Sequence, residues 1–321
     1  MESLSKTPLS LTQVEQIIAR HLGSRREIES LEELKEGYFN AAYHLRLADG
    51  WECVLKIAPP PGLRVLRYEK NILRTEVEVL RRVKQQTEMP VPAILFHDES
   101  GSLLPSPFYA MEFITGTPLH QLREKLSAEQ QAQIDQKLGN YLRQMNALRN
   151  DKFGYYAQSE FQFSTWREAF EAMLNSVLKD GAEAGVALPL PATEILALTR
   201  RQAAVLDEVT SPSLVHWDLW DGNVFVNPQT AEITGIIDFE RALWGDPLME
   251  VNFGAFGINL QFLAGYGQAL PLTPAQTTRR TLYNVYLFLV MVIECTYRHY
   301  PTSDQENWSR MRLAEELERL K

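Results

Sequence analysis

The stretch from Leu214 to Glu240, "LVHWDLWDGNVFVNPQTAEITGIIDFE", constrains this chain more than any other. It holds two short apolar runs, Val224 to Val226 and Ile233 to Ile237, with Asn227-Pro228 starting a turn between them. Branched and aromatic runs on either side of a turn signal spell a β-hairpin. Asn223 stands just before the first strand and Asp238 just after the second, so antiparallel pairing brings the two together at one open edge. No lysine lies close in sequence to neutralise them. A paired amide oxygen and carboxylate, hard ligands with room left for phosphate oxygens and water, suit Mg2+. Asp218 lies on the loop entering the hairpin, where a carboxylate can accept a proton from an attacking hydroxyl and orient it. His216 reads as a hydrogen-bonding brace for that loop.

The remainder of the chain limits what such a site can serve. With 321 residues, 45% hydrophobic and 23% charged, there is material for one large domain or two lobes with buried cores. A formal net charge of −9 argues against a nucleic-acid partner, because phosphate binding needs a basic face. The same acidity suits a cationic small substrate, although solubility alone accounts for it. Cys53 and Cys295 form neither a redox nor a zinc spacing. The start, "MESLSKTPLSL", lacks the apolar run of a signal peptide, and the greasiest run, Val285 to Ile293, is too short for a membrane span. A cytoplasmic, reduced protein without a membrane partner is the expectation, with Val285 to Ile293 in a core helix.

Along the chain, Thr12 and Glu15 make a capping-box pattern for an opening helix. "AAYHLRL" and "ECVLKI" then read as strands around the turn "ADG", and "YEKNILRTEVEVLRRVKQQ" as a long helix closed by Pro90 and Pro92. "AILFHD" and "FYAMEFI" are two more strands. Residues up to Ile114 thus predict a five-stranded, mostly antiparallel sheet carrying one long helix. Gly116 and Pro118 break the pattern and are the candidate hinge. Beyond it the sequence is mainly helical, with capping-box starts at Ser127/Gln130 and Thr165/Glu168. The fold class expected is α+β in two lobes, 1–115 and 116–321, the second carrying the hairpin. Ligand clefts favour such boundaries.

"HWDLWDGN" matches H-x-D-x-x-x-x-N, and "IIDFERALWGDP" supplies a second aspartate followed by G-D-P. In these motifs the chain resembles the aminoglycoside phosphotransferase family, which shares a two-lobed architecture with protein kinases and choline kinases. The resemblance implies that Asp218 is the catalytic aspartate and that Asn223 and Asp238 hold the metal. It further implies ATP or GTP with Mg2+ as cofactors, and a small hydroxylated substrate as partner.

A kinase of this kind also needs a strand lysine, a helix carboxylate and a turn over the phosphates, all upstream. Lys56 in "VLKI" fits the first. For the second, Ile72, Glu76, Val79 and Val83 share one helical stripe, whereas Glu78 sits among Asn71, Arg74, Arg81 and Arg82 on the polar face. A carboxylate on an inward stripe needs a cationic partner, which selects Glu76 for Lys56. "EGYFNAAY" is similar to the strand turn of small-molecule kinases, so Gly37, Tyr38, Phe39 and Asn40 would cover the triphosphate; a plain hairpin turn fits the same letters. "AMEFITGTPL" resembles the lobe connector, whose backbone from Glu112 to Ile114 would hold the adenine edge. Met111 would line the pocket behind it, unless it is plain core.

Only a short stretch separates Asp238 from Asp246, too little for an activation segment that would hold a peptide, so the acceptor is expected to be small. An aminoglycoside or similar antibiotic is the favoured acceptor by resemblance, with a sugar, choline-like amine or amino alcohol as the rival. A nucleotide-binding module without activity is the reading from a different class. Trp217 replaces the family's usual glycine, Glu250 its second aspartate, and Asn146 a common histidine. Trp217, Trp220 and Trp244 serve either the core or stacking on a substrate ring. Glu240, Glu250 and Glu294 are the acidic candidates for holding amines, and the region from Phe153 to Phe170 is expected to contribute to acceptor choice.

Overall fold

A computed structural model describes residues 8–23, 26–35, 37, 39–298, 300 and 302–321. Helix α1 (Leu11–Leu22) opens the chain. Its capping box is made by Ser10 and Gln13 rather than by Thr12 and Glu15. The two patterns overlap in sequence, and the earlier one wins because it starts the helix in time to bury Val14, Ile17 and Ile18.

Strands β1 (Ile28–Leu34), β2 (Ala41–Leu47) and β3 (Glu52–Ile57) follow. After helix α2 (Ile72–Gln86) come β4 (Ile94–Asp98) and β5 (Phe108–Glu112). These strands form one sheet in the order β1-β2-β3-β5-β4, antiparallel throughout. Successive side chains of a strand point to opposite faces. On β3, Cys53, Leu55 and Ile57 join a core shared with α1, while Val54 joins the larger core that contains Leu73, Val77 and Leu80 of α2. Lys56 shares the parity of Val54 and is thereby aimed at α2.

The segment around Gly116 is not a free linker. Strand β6 (Thr117–Pro118) pairs with β10 (Val224–Val226), which pairs with β11 (Ile233–Ile236). Gly116 has φ +151°, and a Cβ there would lie 2.6 Å from Thr234 Oγ1. Only glycine lets the connector pass the hairpin this closely.

The rest of the chain adds α3 (Leu119–Leu122), α4 (Ala128–Asn146), α5 (Trp166–Glu183), α6 (Ala192–Gln202), α7 (Leu260–Tyr266), α8 (Pro274–Arg298) and α9 (Asp304–Arg319). Ser127 and Gln130 cap α4 reciprocally, and Thr165 accepts from the Glu168 amide at α5. Val285 to Ile293 lie in α8, nearly all of them fully buried. No helix among the described residues is long and apolar enough to cross a membrane. A second small sheet, β8-β7-β12-β9, joins β7 (Phe153–Tyr155), β8 (Gln162–Phe163), β9 (Ser213–Val215) and β12 (Leu243–Gly245). Strands of two or three residues carry no readable period, which is why this sheet was not expected from sequence. Strand β9 leads into the loop of His216 and Asp218, and β12 leaves the turn after Asp238, so the sheet clamps both sides of the hairpin.

Candidate active site

The hairpin brings its two ends together. Val224 pairs with Ile236, and the Ile237 amide donates to the Asn223 carbonyl at 3.0 Å. Asp238 follows with φ 70° and ψ 54°, the left-handed conformation that a non-glycine residue adopts at a cost of roughly 1–3 kcal/mol. That twist turns its carboxylate toward the larger sheet, where Lys56 Nζ donates to Asp238 Oδ1 at 3.0 Å. The same ammonium donates to both oxygens of Glu76, at 2.8 and 3.0 Å. Glu76 is fully buried on α2, whereas Glu78 faces solvent.

The electrostatics follow from this arrangement. Burial opposes the charge on Lys56, yet Asp238 and Glu76 hold its pKa well above the ordinary lysine value. Burial raises the Glu76 carboxyl, partly offset by Lys56. For Asp238 burial also pushes upward, but the Lys56 ammonium prevails and the carboxyl lies below its usual value. Glu240, two residues on, completes an acidic cluster: Glu76, Asp238 and Glu240 each offer an oxygen within 4.8 Å of the others. Asn40 Nδ2 donates to Glu240 Oε2 at 2.7 Å, while Asn40 Oδ1 is buried without a partner. Carboxylates gathered this closely with an unused amide oxygen nearby are a donor set for a hard divalent cation.

Asp218 faces this cluster from the loop. Asn223 Nδ2 donates to the Asp218 carbonyl at 2.8 Å, fixing the loop to the hairpin start. The Asp218 amide donates to His216 Nδ1 at 3.2 Å, so the ring proton is on Nε2, 3.3 Å from the Ile237 carbonyl. Burial lowers the His216 pKa to about 4, leaving it a neutral brace between loop and hairpin. Beneath it, Glu250 accepts from the amides of His216 (2.7 Å) and Trp217 (2.8 Å) and from Asn146 Nδ2 (3.1 Å). Burial also raises Asp218, to about 7, against the pull of Arg241.

The other expected residues lie further out. Met111 is buried in the larger core, and Ile114 packs its side chain against Gly235. The Glu112 amide is spent on the Ala93 carbonyl, and its carboxylate accepts from Ala93 N and Lys84 Nζ. Gly37 is exposed at the lip of the sheet, and Tyr38 lies outside the described residues. Phe39 is buried with the Arg298 guanidinium 4.5 Å from its ring centroid.

Three acidic candidates for amines turn out to be engaged already. Glu250 supports the loop from behind, Glu240 holds Asn40, and Glu294 accepts from Arg241. Trp217 and Trp244 are core residues, but Trp220 is 49% exposed. Trp217 has φ 64°, so the backbone keeps the conformation natural to the glycine it replaces. Its indole stacks on Tyr286 with centroids 5.2 Å apart. The residue sequence reasoning missed is Arg241, whose Nε is 3.7 Å from Asp218 Oδ2. Its place one turn after Asp238 was the available signal.

A family model gives the family, and solved structures give the fold. Residues 30–277 match the model of the phosphotransferase enzyme family, abbreviated APH. A Vibrio vulnificus protein named "Probable ketoamine kinase" is 27% identical over 222 residues, covering 67% of this chain and 72% of its own. A solved structure from Haemophilus somnus, assigned provisionally as a fructosamine-3-kinase, has a TM-score of 0.69 at 17% identity, covering 95% of this chain and 96% of its own. A thermostable mutant of aminoglycoside phosphotransferase APH(4)-Ia, in ternary complex with AMP-PNP and hygromycin B, has a TM-score of 0.66 at 19% identity, covering 95% and 98%. The fold is accordingly the two-lobed, protein-kinase-like one. This chain belongs to the phosphotransferase enzyme family and is a small-molecule kinase.

Proposed function

We propose that the protein moves the γ-phosphoryl group of ATP, or GTP, to a hydroxyl of a small metabolite, with residues 1–115 holding the nucleotide and 116–321 the acceptor. The observation that carries this reading is Lys56 bridging Glu76 and Asp238, since a lysine held between a fully buried and a half-buried carboxylate is restrained where phosphate would arrive. Asp238 and Glu240, which offer oxygens within 4.8 Å of each other, with Asn223 at the other end of the hairpin, would hold Mg2+, and a cation there would supply charge neutralisation for the nucleotide phosphates. Asp218 orients the acceptor hydroxyl and takes its proton. Gly37 and Asn40 would approach the phosphates from the turn, and the backbone from Glu112 to Ile114, with Met111 behind, would frame the base. Phosphoryl transfer of this kind rests mainly on positioning and charge compensation.

The paired state of Glu240, Glu250 and Glu294 favours a metabolite over a polycationic antibiotic, because a polycation needs carboxylates that are not already engaged. An ADP-release screen over aminoglycosides, ketoamines, sugars, amino alcohols and hydroxy acids tests the proposal. Acceptor-dependent ADP formation that needs Mg2+ supports it. Nucleotide binding with no ADP formed from any alcohol would favour the non-catalytic module instead.

A further inference from the structure

Arg241 is the cation nearest the group that receives the acceptor proton, and it is not fully used. Its Nη2 donates to Glu294 Oε2 at 3.0 Å, its only side-chain hydrogen bond among the described residues. The 3.7 Å from its Nε to Asp218 Oδ2 is too long for another. The guanidinium lies over the Tyr68 ring, 5.7 Å from the centroid, and Tyr68 meets Trp217 edge-on at 6.1 Å. The Tyr68 hydroxyl and the Trp217 indole nitrogen are both buried and both without a partner. Buried donors left unpaired cost about 1–3 kcal/mol each, so a ligand that accepts from them recovers that energy.

Two of the carboxylates around this group are already engaged. Glu294 is held by Arg241 and contacts Gln305, and Glu69 is held by Arg298 and the Leu66 amide. What stands unused beside Asp218 is therefore a set of hydrogen-bond donors: the Tyr68 hydroxyl, the Trp217 indole N–H and the free edges of Arg241. A guanidinium with free edges is matched best by a planar carboxylate, which it can bind through two parallel hydrogen bonds.

We infer that the acceptor is a short hydroxy acid whose carboxylate is held by Arg241 with help from the Tyr68 hydroxyl and the Trp217 indole N–H. The inference rests on the kinase reading above. The carboxylate on Arg241 presents the hydroxyl, a few bonds away, to Asp218. The hydroxyl proton passes to Asp218 as the acceptor oxygen bonds to the γ-phosphorus. The bond from that phosphorus to the β,γ-bridging oxygen breaks, and the products are a phosphorylated hydroxy acid and ADP. The close approach of Arg241 to Asp218 makes the anion sensor part of the positioning apparatus.

The test compares three matched alcohol series, hydroxy acids such as glycerate and 3-hydroxybutyrate, their amides, and the corresponding amino alcohols, by ADP release from the full chain with ATP and Mg2+. The acids should exceed the amides by about 100-fold in kcat/KM, since a buried charged hydrogen-bonding partner is at stake. Tyr68→Phe keeps the ring and should raise KM for the acids about 10-fold with little change in kcat. Arg241→Gln should raise it further, and Arg241→Lys should restore part of the loss. Equal use of amides or amines, or variants that lower kcat alike for every series without moving KM, would overturn the inference. So would the absence of turnover in all three series. ATP binding by calorimetry and ADP release with other alcohols on the same preparation separate the cases: binding with turnover of another alcohol leaves the kinase reading standing, and no binding removes both.

Discussion

Lys56 Nζ sits 3.0 Å from Asp238 Oδ1 although the two residues are 182 positions apart, and Glu76 closes the triangle from α2. The large sheet, its helix and the hairpin thus meet at one ammonium. Lys56→Met leaves the Glu76 carboxyl buried without its cation, and breaking a buried pair in this way costs roughly 3–5 kcal/mol. Urea unfolding should show that loss, together with loss of turnover. The double variant Lys56→Met/Glu76→Leu should recover most of the stability and none of the activity. Recovery of both would show that the lysine serves the fold alone.

Asp218→Asn should cut kcat by about 10²–10⁴, the usual worth of a positioned general base, while the Kd for nucleotide stays nearly unchanged. Its effect on stability should be opposite. The Asp218 pKa is about 7 in the folded chain against 3.8 ordinarily, so the folded state binds that proton more tightly. Stability then falls as pH rises from about 4 to about 7, where only the unfolded chain has released it. The asparagine variant lacks this penalty, and its Tm at pH 8 should be equal to or above that of the parent.

The rate should carry the same group in its pH profile. Asp218 works as an acceptor of protons only when ionised, so kcat/KM should climb with pH along an acid limb with an apparent pKa at or below about 7. A divalent cation at Asp238 pulls the limb lower. In Asp218→Asn the residual rate should be flat across that range. His216, held neutral by burial with a pKa of about 4, should add no limb above pH 5.

Much of this arrangement is written locally. Hairpin pairing places Asn223 beside Asp238, strand parity aims Lys56 at α2, and the helical stripe selects Glu76 over Glu78. What escaped the sequence depends on tertiary partners. Glu250 reads as a candidate for holding an amine until its partners, the amides of the His216 loop, are known. Arg241 has no periodicity to mark it, since a single turn after Asp238 decides where it goes. The opening capping box shifted because two valid patterns overlapped and burial chose between them. The short strands β7, β8, β9 and β12 are held by neighbours distant in sequence rather than by their own pattern.

Trp217→Gly separates strain from packing. The glycine would relieve the φ of 64°, worth about 1 kcal/mol, but would empty the space between Tyr286 and Tyr68. Removing a buried tryptophan side chain costs roughly 3–5 kcal/mol. Denaturant unfolding should therefore register a net loss of about 2–4 kcal/mol. A stabilised variant would mean that the indole is not core.

The central claim is that the end of the hairpin holds a cation against nucleotide phosphates. Titration of Mn2+ in the presence of AMP-PNP, followed by electron paramagnetic resonance, measures that directly in the parent chain, in Asp238→Asn and in Asn223→Ala. The account predicts one tight Mn2+ per chain in the parent and a loss of at least about 100-fold in affinity in Asp238→Asn, with a smaller loss in Asn223→Ala. Equal Mn2+ affinity in all three proteins, each still binding the nucleotide, would contradict it.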